Sequence, residues 1–272
     1  MPELPEVEYT RRLLRPALEG ARFRRVVTRR ANLRYPFGTD FVSRLEGQTV
    51  RALTRRAKYL VAELSSGDLL VMHLGMSGWF RVEKDGVKTP DLEKHDHVVF
   101  EMSSGKTAVF NDPRRFGFMR IIPGSPASAD WTAGVLGPEP LDRRFTPETL
   151  SRALHRKKTT LKAALLDQRV VAGLGNIYVS EALHRARLSP RRKASTTSAR
   201  SGAPTPKTAA LVAAIKETLR DAIAHQHRPS GADRFLVYDR EGERCPRRGC
   251  RGTIARIIQG GRSTFFCPTC QR

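Results

Sequence analysis

Residues 50–76, VRALTRRAKYLVAELSSGDLLVMHLGM, decide how the first half of this chain folds. Apolar and polar side chains alternate through 50–64, and Ser65-Ser66-Gly67-Asp68 breaks the run before a second apolar stretch. Period-two alternation bounded by such turn residues predicts short strands with one buried face. The same signature recurs in HDHVVFEM (95–102) and KTAVFND (106–112). Strands of this kind, spread over about 130 residues, predict a β-sandwich or a barrel.

Outward from this region the pattern changes on both sides. MPELPEVE (1–8) opens a helix predicted to run to about Leu18, with Pro tolerated in the first turn and Glu3, Glu6 and Glu8 complementing the helix dipole. WTAGVLGPEPLDRRF (131–145) reads as a boundary, after which the period is helical. Thr146-Pro147-Glu148 starts one helix, TLKAALLDQ (160–168) a second and IYVSEALHRARL (177–188) a third, with VVAGLGN (170–176) interrupting. The stretch 189–207 lacks aromatics and long aliphatics and is expected to be an exposed loop. AALVAAIKETLRDAIAHQ (209–226) reads as a last helix, and no internal repeat is visible. The class is α+β and multidomain.

Charge narrows the partners. Forty-nine Lys and Arg against 27 Asp and Glu leave a net +22, which repels itself in a compact state unless a polyanion neutralises it. A nucleic acid is the expected partner, although arginine also dominates in many proteins from GC-rich genomes. No run of 18 or more apolar residues predicts a membrane span, and the N-terminus lacks a basic-then-apolar leader. A soluble protein of the cytoplasm is expected.

All four cysteines, Cys245, Cys250, Cys267 and Cys270, lie in the last 28 residues with the pattern C-x4-C-x16-C-x2-C. Two close thiolate pairs around a hairpin turning at Gly260-Gly261 suit one tetrahedral Zn²⁺. Four protein ligands leave no open position, so the metal is expected to be structural. Arg262 follows the hairpin turn, where a guanidinium reaches a phosphate in bidentate fashion or simply faces water. Gly173 and Gly175 permit tight turns before Asn176, a position that suits a helix cap or a phosphate site. Lys58, His73, Met76, His95, Arg114 and Phe116 fall near strand ends. There a basic residue beside Met or Phe wedges into a base stack, or the apolar side chain joins the core.

MPELPEVE, RRAKYL (55–60), HLGMSG (73–78), EKHDHV (93–98), DPRRFG (112–117), LGPEPL (136–141), AGLGNIY (172–178), SEAL (180–183) and QGGRSTFFCPTCQ (259–271) follow one another in that order. Together they make the chain closely resemble the bacterial formamidopyrimidine-DNA glycosylases, of the family shared with endonuclease VIII, over nearly its whole length. The resemblance implies an N-terminal helix with a β-sandwich (1–135), a helix-two-turns-helix domain (136–229) and a zinc ribbon (230–272). It implies a monomeric base-excision enzyme of the bacterial nucleoid, acting on duplex DNA with damaged bases or abasic sites.

By the same resemblance Pro2, freed by removal of Met1, is the nucleophile, and Glu3 donates the proton that opens the sugar. Glu6 orients the site, Lys58 assists β-elimination and Arg262 δ-elimination. An α-amine with a reference pKa of about 7.7–8.0 is in part neutral at pH 7, which suits that role. His73, His95, Arg114, Lys157 and Asn176 would hold DNA, while Met76, Arg114 and Phe116 fill the gap left by the extruded nucleotide. Two departures are visible. The first knuckle is C-x4-C where the family usually has C-x2-C. The stretch HQHRPSGADRFLVYDREGE (225–243) lacks most of the loop that covers an extruded purine. Formamidopyrimidine and 8-oxoguanine are the implied substrates, and the short stretch turns the expectation toward formamidopyrimidines, oxidised pyrimidines or bulkier lesions. The alternatives are an endonuclease VIII-like enzyme for oxidised pyrimidines and a non-catalytic protein that binds damaged DNA.

Overall fold

The computed structural model describes residues 1–83, 92–124, 132, 134–225 and 235–272. The chain divides into two compact units, Met1–Trp131 and Thr132–Arg272.

In the first unit the alternating segments form strands, as the sequence predicts. β2 (Val50–Arg56), β3 (Tyr59–Leu64), β4 (Leu69–His73) and β8 (Phe118–Ile122) form one antiparallel sheet in the order β2-β3-β4-β8. β1 (Phe23–Thr28), β6 (Asp96–Met102), β7 (Thr107–Asn111) and β5 (Trp79–Glu83) form the other, in the order β1-β6-β7-β5. One core joins Leu53, Leu60 and Met72 of the first sheet to Phe23, Phe100 and Phe110 of the second. Two separate sheets sharing a core make this a sandwich and not a barrel. Helix α1 (Leu4–Leu18) contributes Val7, Leu14 and Leu18 to that core, and the short α2 (Phe41–Leu45) adds Phe41 and Leu45. β1, β5, β8 and α2 carry weaker patterns and were not legible as elements. β1 alternates poorly because Arg24 and Arg25 interrupt it at a bulge.

The second unit holds α3 (Pro147–Leu154), α4 (Leu161–Leu166), α5 (Asn176–Arg185) and α6 (Pro206–Ala224). Thr146, Thr160 and Thr205 cap α3, α4 and α6 by accepting a backbone N–H three residues on, each satisfying a donor the helix cannot. The expectation of an exposed loop at 189–207 is corrected. Ala194–Thr197 form a 3-10 turn, Ala194 and Thr197 are fully buried, and the hydroxyls of Thr205 and Thr208 donate to the Thr197 carbonyl. Small hydroxylated residues order this stretch through local hydrogen bonds, without the aliphatic bulk that a periodicity argument looks for. β9 (Ala255–Gln259) and β10 (Arg262–Phe266) form the hairpin, with Gln259 opposite Arg262. Gly260 and Gly261 both have positive φ, 56° and 71°, as a two-residue turn between twisted strands requires.

Candidate functional site

In the first unit the chemistry gathers at the start of α1. Glu3 caps the helix and is 2 % exposed, and its own N–H donates to Glu6 Oε2 at 2.9 Å. Glu8 lies further along the helix and pairs instead with Arg11, Arg12 and Arg55. The three acids of the opening therefore divide, two around the chain start and one in a charge network. Pro2 is half-buried, and exposed Met1 lines a hollow of about 600 Å³. His73, Met76, Arg114 and Phe116 line the same hollow, so the structure brings four of the expected residues to one place beside the chain start. Asn32 and Arg34 line it too, from a loop in which no sequence signal marked them.

Two loops present the apolar residues. Gly75 has φ +66°, and a Cβ there would lie 2.3 Å from Gly117 N and from the Phe116 carbonyl carbon. Backbone thus meets backbone, and Met76 and Phe116 both reach the hollow, 38 % and 43 % exposed. Buried Asp112 latches both loops, accepting from Ser77 Oγ at 2.6 Å and from Gly117 N at 2.8 Å. The Arg114 guanidinium stands 4.8 Å from the Phe116 ring centroid, a cation–π contact that holds both side chains. Such exposed apolar tips have no place in the core, which removes the core-residue alternative for both.

His73 stacks on Phe118 with ring centroids 5.4 Å apart, and its Nδ1 accepts from Gly75 N at 3.0 Å. Burial, then the positive fields of Lys58 and Arg34, push its pKa down to about 4. It is therefore neutral at pH 7 with the proton on Nε2, a donor without charge. Lys58 is itself buried and follows Ala57, whose φ of +53° makes the tight β2–β3 turn. His95 is half-buried, and its carbonyl accepts from Asp112 N at 3.0 Å. The next residue, Asp96, is fully buried. Burial opposes its charge, but two 2.7 Å bonds from Arg81 and one from Asn111 Nδ2 outweigh that and keep the carboxyl below its ordinary range. Asp96 and Asp112 fix the loops that carry His95 and Arg114, a role that their sequence positions did not reveal.

The second unit carries the remaining expected residues. Lys157 Nζ pairs with Asp167 Oδ2 at 2.8 Å, so a phosphate there would replace a carboxylate. Asn176 begins α5 after Gly175, the capping residue, and its Nδ2 donates to the Ser263 carbonyl at 2.9 Å. Arg262 is exposed at the hairpin tip. The four cysteine sulfurs lie within 4.8 Å of one another, with Cys250–Cys267 at 3.7 Å and Cys245–Cys270 at 3.9 Å. A tetrahedron with Zn–S of about 2.3 Å has edges of about 3.8 Å, so this donor set fits one structural zinc and the C-x4-C knuckle closes it. His184 Nε2 lies 3.4 Å from Cys245 Sγ, and burial, then Arg247 and other arginines, push its pKa down to about 4. The ring meets the sulfur as a supporting contact, which the helical pattern of 177–188 did not single out.

Residues 1–119 match the model of the formamidopyrimidine-DNA glycosylase N-terminal domain, 136–232 that of the glycosylase H2TH domain and 242–272 a zinc finger found in FPG and IleRS. A formamidopyrimidine-DNA glycosylase of Rhodopseudomonas palustris is 55 % identical over 293 aligned positions, and one of Afipia carboxidovorans 53 % over 294, with both chains covered in full. Among solved structures, the Lactococcus lactis formamidopyrimidine-DNA glycosylase bound to DNA with an abasic site superposes with a TM-score of 0.86 at 31 % identity, each chain covered in full. The Thermus thermophilus protein gives 0.82 at 38 % identity, over 99 % of this chain and 98 % of that one. With three domain models matched in order and full-length relatives above half identity, the chain belongs to the formamidopyrimidine-DNA glycosylase family.

Proposed function

We infer that this chain is a bifunctional DNA glycosylase and abasic-site lyase of base excision repair, acting on damaged duplex DNA. The observation that carries the reading is the hollow at the chain start. A buried Glu3 sits beside Pro2, and Met76, Arg114 and Phe116 rim the same space. Removal of Met1 leaves Pro2 with a secondary amine facing it. The amine attacks C1′, the damaged base leaves with a proton, and Glu3 donates to the ring oxygen as the sugar opens. The resulting iminium acidifies C2′–H. Loss of that proton expels the 3′-phosphate with help from Lys58, and a second elimination, assisted by Arg262, expels the 5′-phosphate. Hydrolysis returns the free amine.

Glu6, bonded to the Glu3 N–H, holds the helix start in place. Neutral His73, with His95, Arg114, Lys157 and Asn176, binds the DNA backbone, and the Met76–Phe116 pair with Arg114 takes the place of the flipped nucleotide. The zinc holds the ribbon and takes no part in the chemistry. Matches at 1–119, 136–232 and 242–272 support a division at 1–135, 136–229 and 230–272. A cytoplasmic, nucleoid-bound monomer fits this work. No helix among the described residues is long and apolar enough to cross a membrane.

The test is borohydride trapping on duplexes with an abasic site or an oxidised base. A covalent adduct at Pro2, located by mass, is expected, with Pro2→Gly reducing it more than tenfold. Absence of any adduct on every duplex would leave only damaged-DNA binding. The lesion preference is a separate question. The relatives align over 293 positions against 272 residues here, so they carry residues that this chain lacks. The short stretch 225–243 is the expected place for that loss, and 226–234 lie outside the described residues. One Lactococcus lactis relative was solved with DNA containing an oxidised pyrimidine. We propose that formamidopyrimidines and oxidised pyrimidines are cut faster than 8-oxoguanine, which a nicking panel on the three duplexes reads directly.

A further inference from the structure

Lys162 is fully buried in α4, yet no step above uses it. Its Nζ donates to the Ser263 carbonyl at 2.9 Å and to Thr264 Oγ1 at 2.6 Å. Asn176 Nδ2 donates to the same Ser263 carbonyl at 2.9 Å. Two side chains from two helices thus converge on one backbone oxygen, and that oxygen belongs to the residue after Arg262. On the other strand, Gln259 Nε2 reaches the Pro190 carbonyl at 3.5 Å. Besides these anchors, the strand ladder and a bond from Arg256 Nε to Ser263 Oγ at 3.1 Å hold the base of the tip. A Cβ at Gly260 or Gly261 would meet nothing within 4 Å, and Ile258 is 73 % exposed.

We propose that Lys162 and Asn176 are positioning residues for Arg262, setting through the Ser263 carbonyl where its guanidinium stands during δ-elimination. A charged side chain on a two-glycine turn sweeps a wide volume unless the strand behind it is fixed. The buried amine supplies that fixation at 0 % exposure, where water cannot substitute for it. Buried lysines are ordinarily replaced by apolar residues unless a polar group must be held, and here the polar group held is the backbone beside Arg262. The assignment also gives Asn176 a second use, since one of its two amide N–H bonds goes to the hairpin.

This inference rests on the proposed lyase reading. The test compares wild type with Lys162→Met and Lys162→Gln on an abasic-site duplex, resolving β- from δ-elimination products on a sequencing gel. Zinc content and thermal midpoint are measured alongside. With Lys162→Met the ratio of δ to β product is expected to fall by roughly 10- to 100-fold, as for a group displaced by about 1 Å. Lys162→Gln, which still offers an N–H to Ser263, is expected to recover part of the ratio. Thr264→Val, which removes one Lys162 contact without touching the lysine, is expected to lower the ratio severalfold. An unchanged ratio in all three zinc-loaded, folded variants overturns the assignment, as does an equal fall of both products. Failure of wild type to form any borohydride adduct refutes the lyase reading instead.

Discussion

At the scale of single residues, the site depends on groups whose charge is suppressed or latched. Burial, then the positive fields of Lys58 and Arg34, push the His73 pKa down to about 4, below the ordinary 6.5. The unfolded chain takes up this proton near pH 6.5 and the folded one does not until about 4. Stability is therefore full above the unfolded value and is lost as pH falls from about 6.5 toward 4. Urea unfolding at pH 7.5 and pH 5 is expected to show this loss. His73→Asn, which can place an oxygen near Nδ1 and cannot titrate, should show a smaller one. Gly75 is a second residue-scale constraint. Gly75→Ala is expected to cost several kcal/mol, because φ is +66° and the added carbon meets backbone that cannot yield. A lower thermal midpoint and weaker cutting of lesion duplex check it together. Neither feature was legible beforehand. The sequence marks HLGMSG and DPRRFG as loops, but their interlock is a long-range backbone contact, and no local pattern encodes it.

At the scale of elements, legibility followed how much local chemistry each element carries. α1, β2–β4, β6, β7, the helices of the second unit and the glycine turn of the hairpin all announce themselves by period, cap or turn residue. The 3-10 turn at Ala194–Thr197 did not, because its order comes from Thr205 and Thr208, which lie further along the chain. The ribbon is the element most dependent on one interaction. Among the described residues its own core is Val237, Cys245, Ile254, Phe265 and Cys267, with Tyr238, Cys250 and Cys270 packed against it, and two of the first five are metal ligands. So small a cluster does not hold a hairpin whose outer strand face is solvated, and the zinc supplies the rest. Cys267→Ser, or a strong chelator, is expected to abolish amide protection in β9 and β10 while β1–β8 keep theirs. Hydrogen exchange read by mass spectrometry separates the two. Loss of protection throughout the chain would mean that zinc supports more than the ribbon.

At the scale of the whole molecule, the net charge of +22 sets how binding responds to salt. The candidate backbone contacts are of two kinds. Arg114, Lys157 and Arg262 carry charge, while His73 is neutral at pH 7 and Asn176 always is. Each phosphate neutralised by a cation adds about −0.9 to the slope of log K against log salt, and neutral donors add nothing. Arg114 and Arg262 predict a slope of about −1.8, a fall of roughly 12-fold in affinity between 50 and 200 mM salt, to which Lys157 adds less. Lys157 is the exception within that set. It already neutralises Asp167 at 2.8 Å, so exchanging carboxylate for phosphate releases few counterions. Arg114→Gln is therefore expected to flatten the slope by about 0.9, whereas Lys157→Gln flattens it by clearly less. His73→Asn should weaken binding at every salt concentration with the slope intact. Anisotropy titrations of a lesion duplex at four salt concentrations distinguish these outcomes. Equal flattening by all three variants would mean that His73 binds as a cation, against the burial that keeps it neutral.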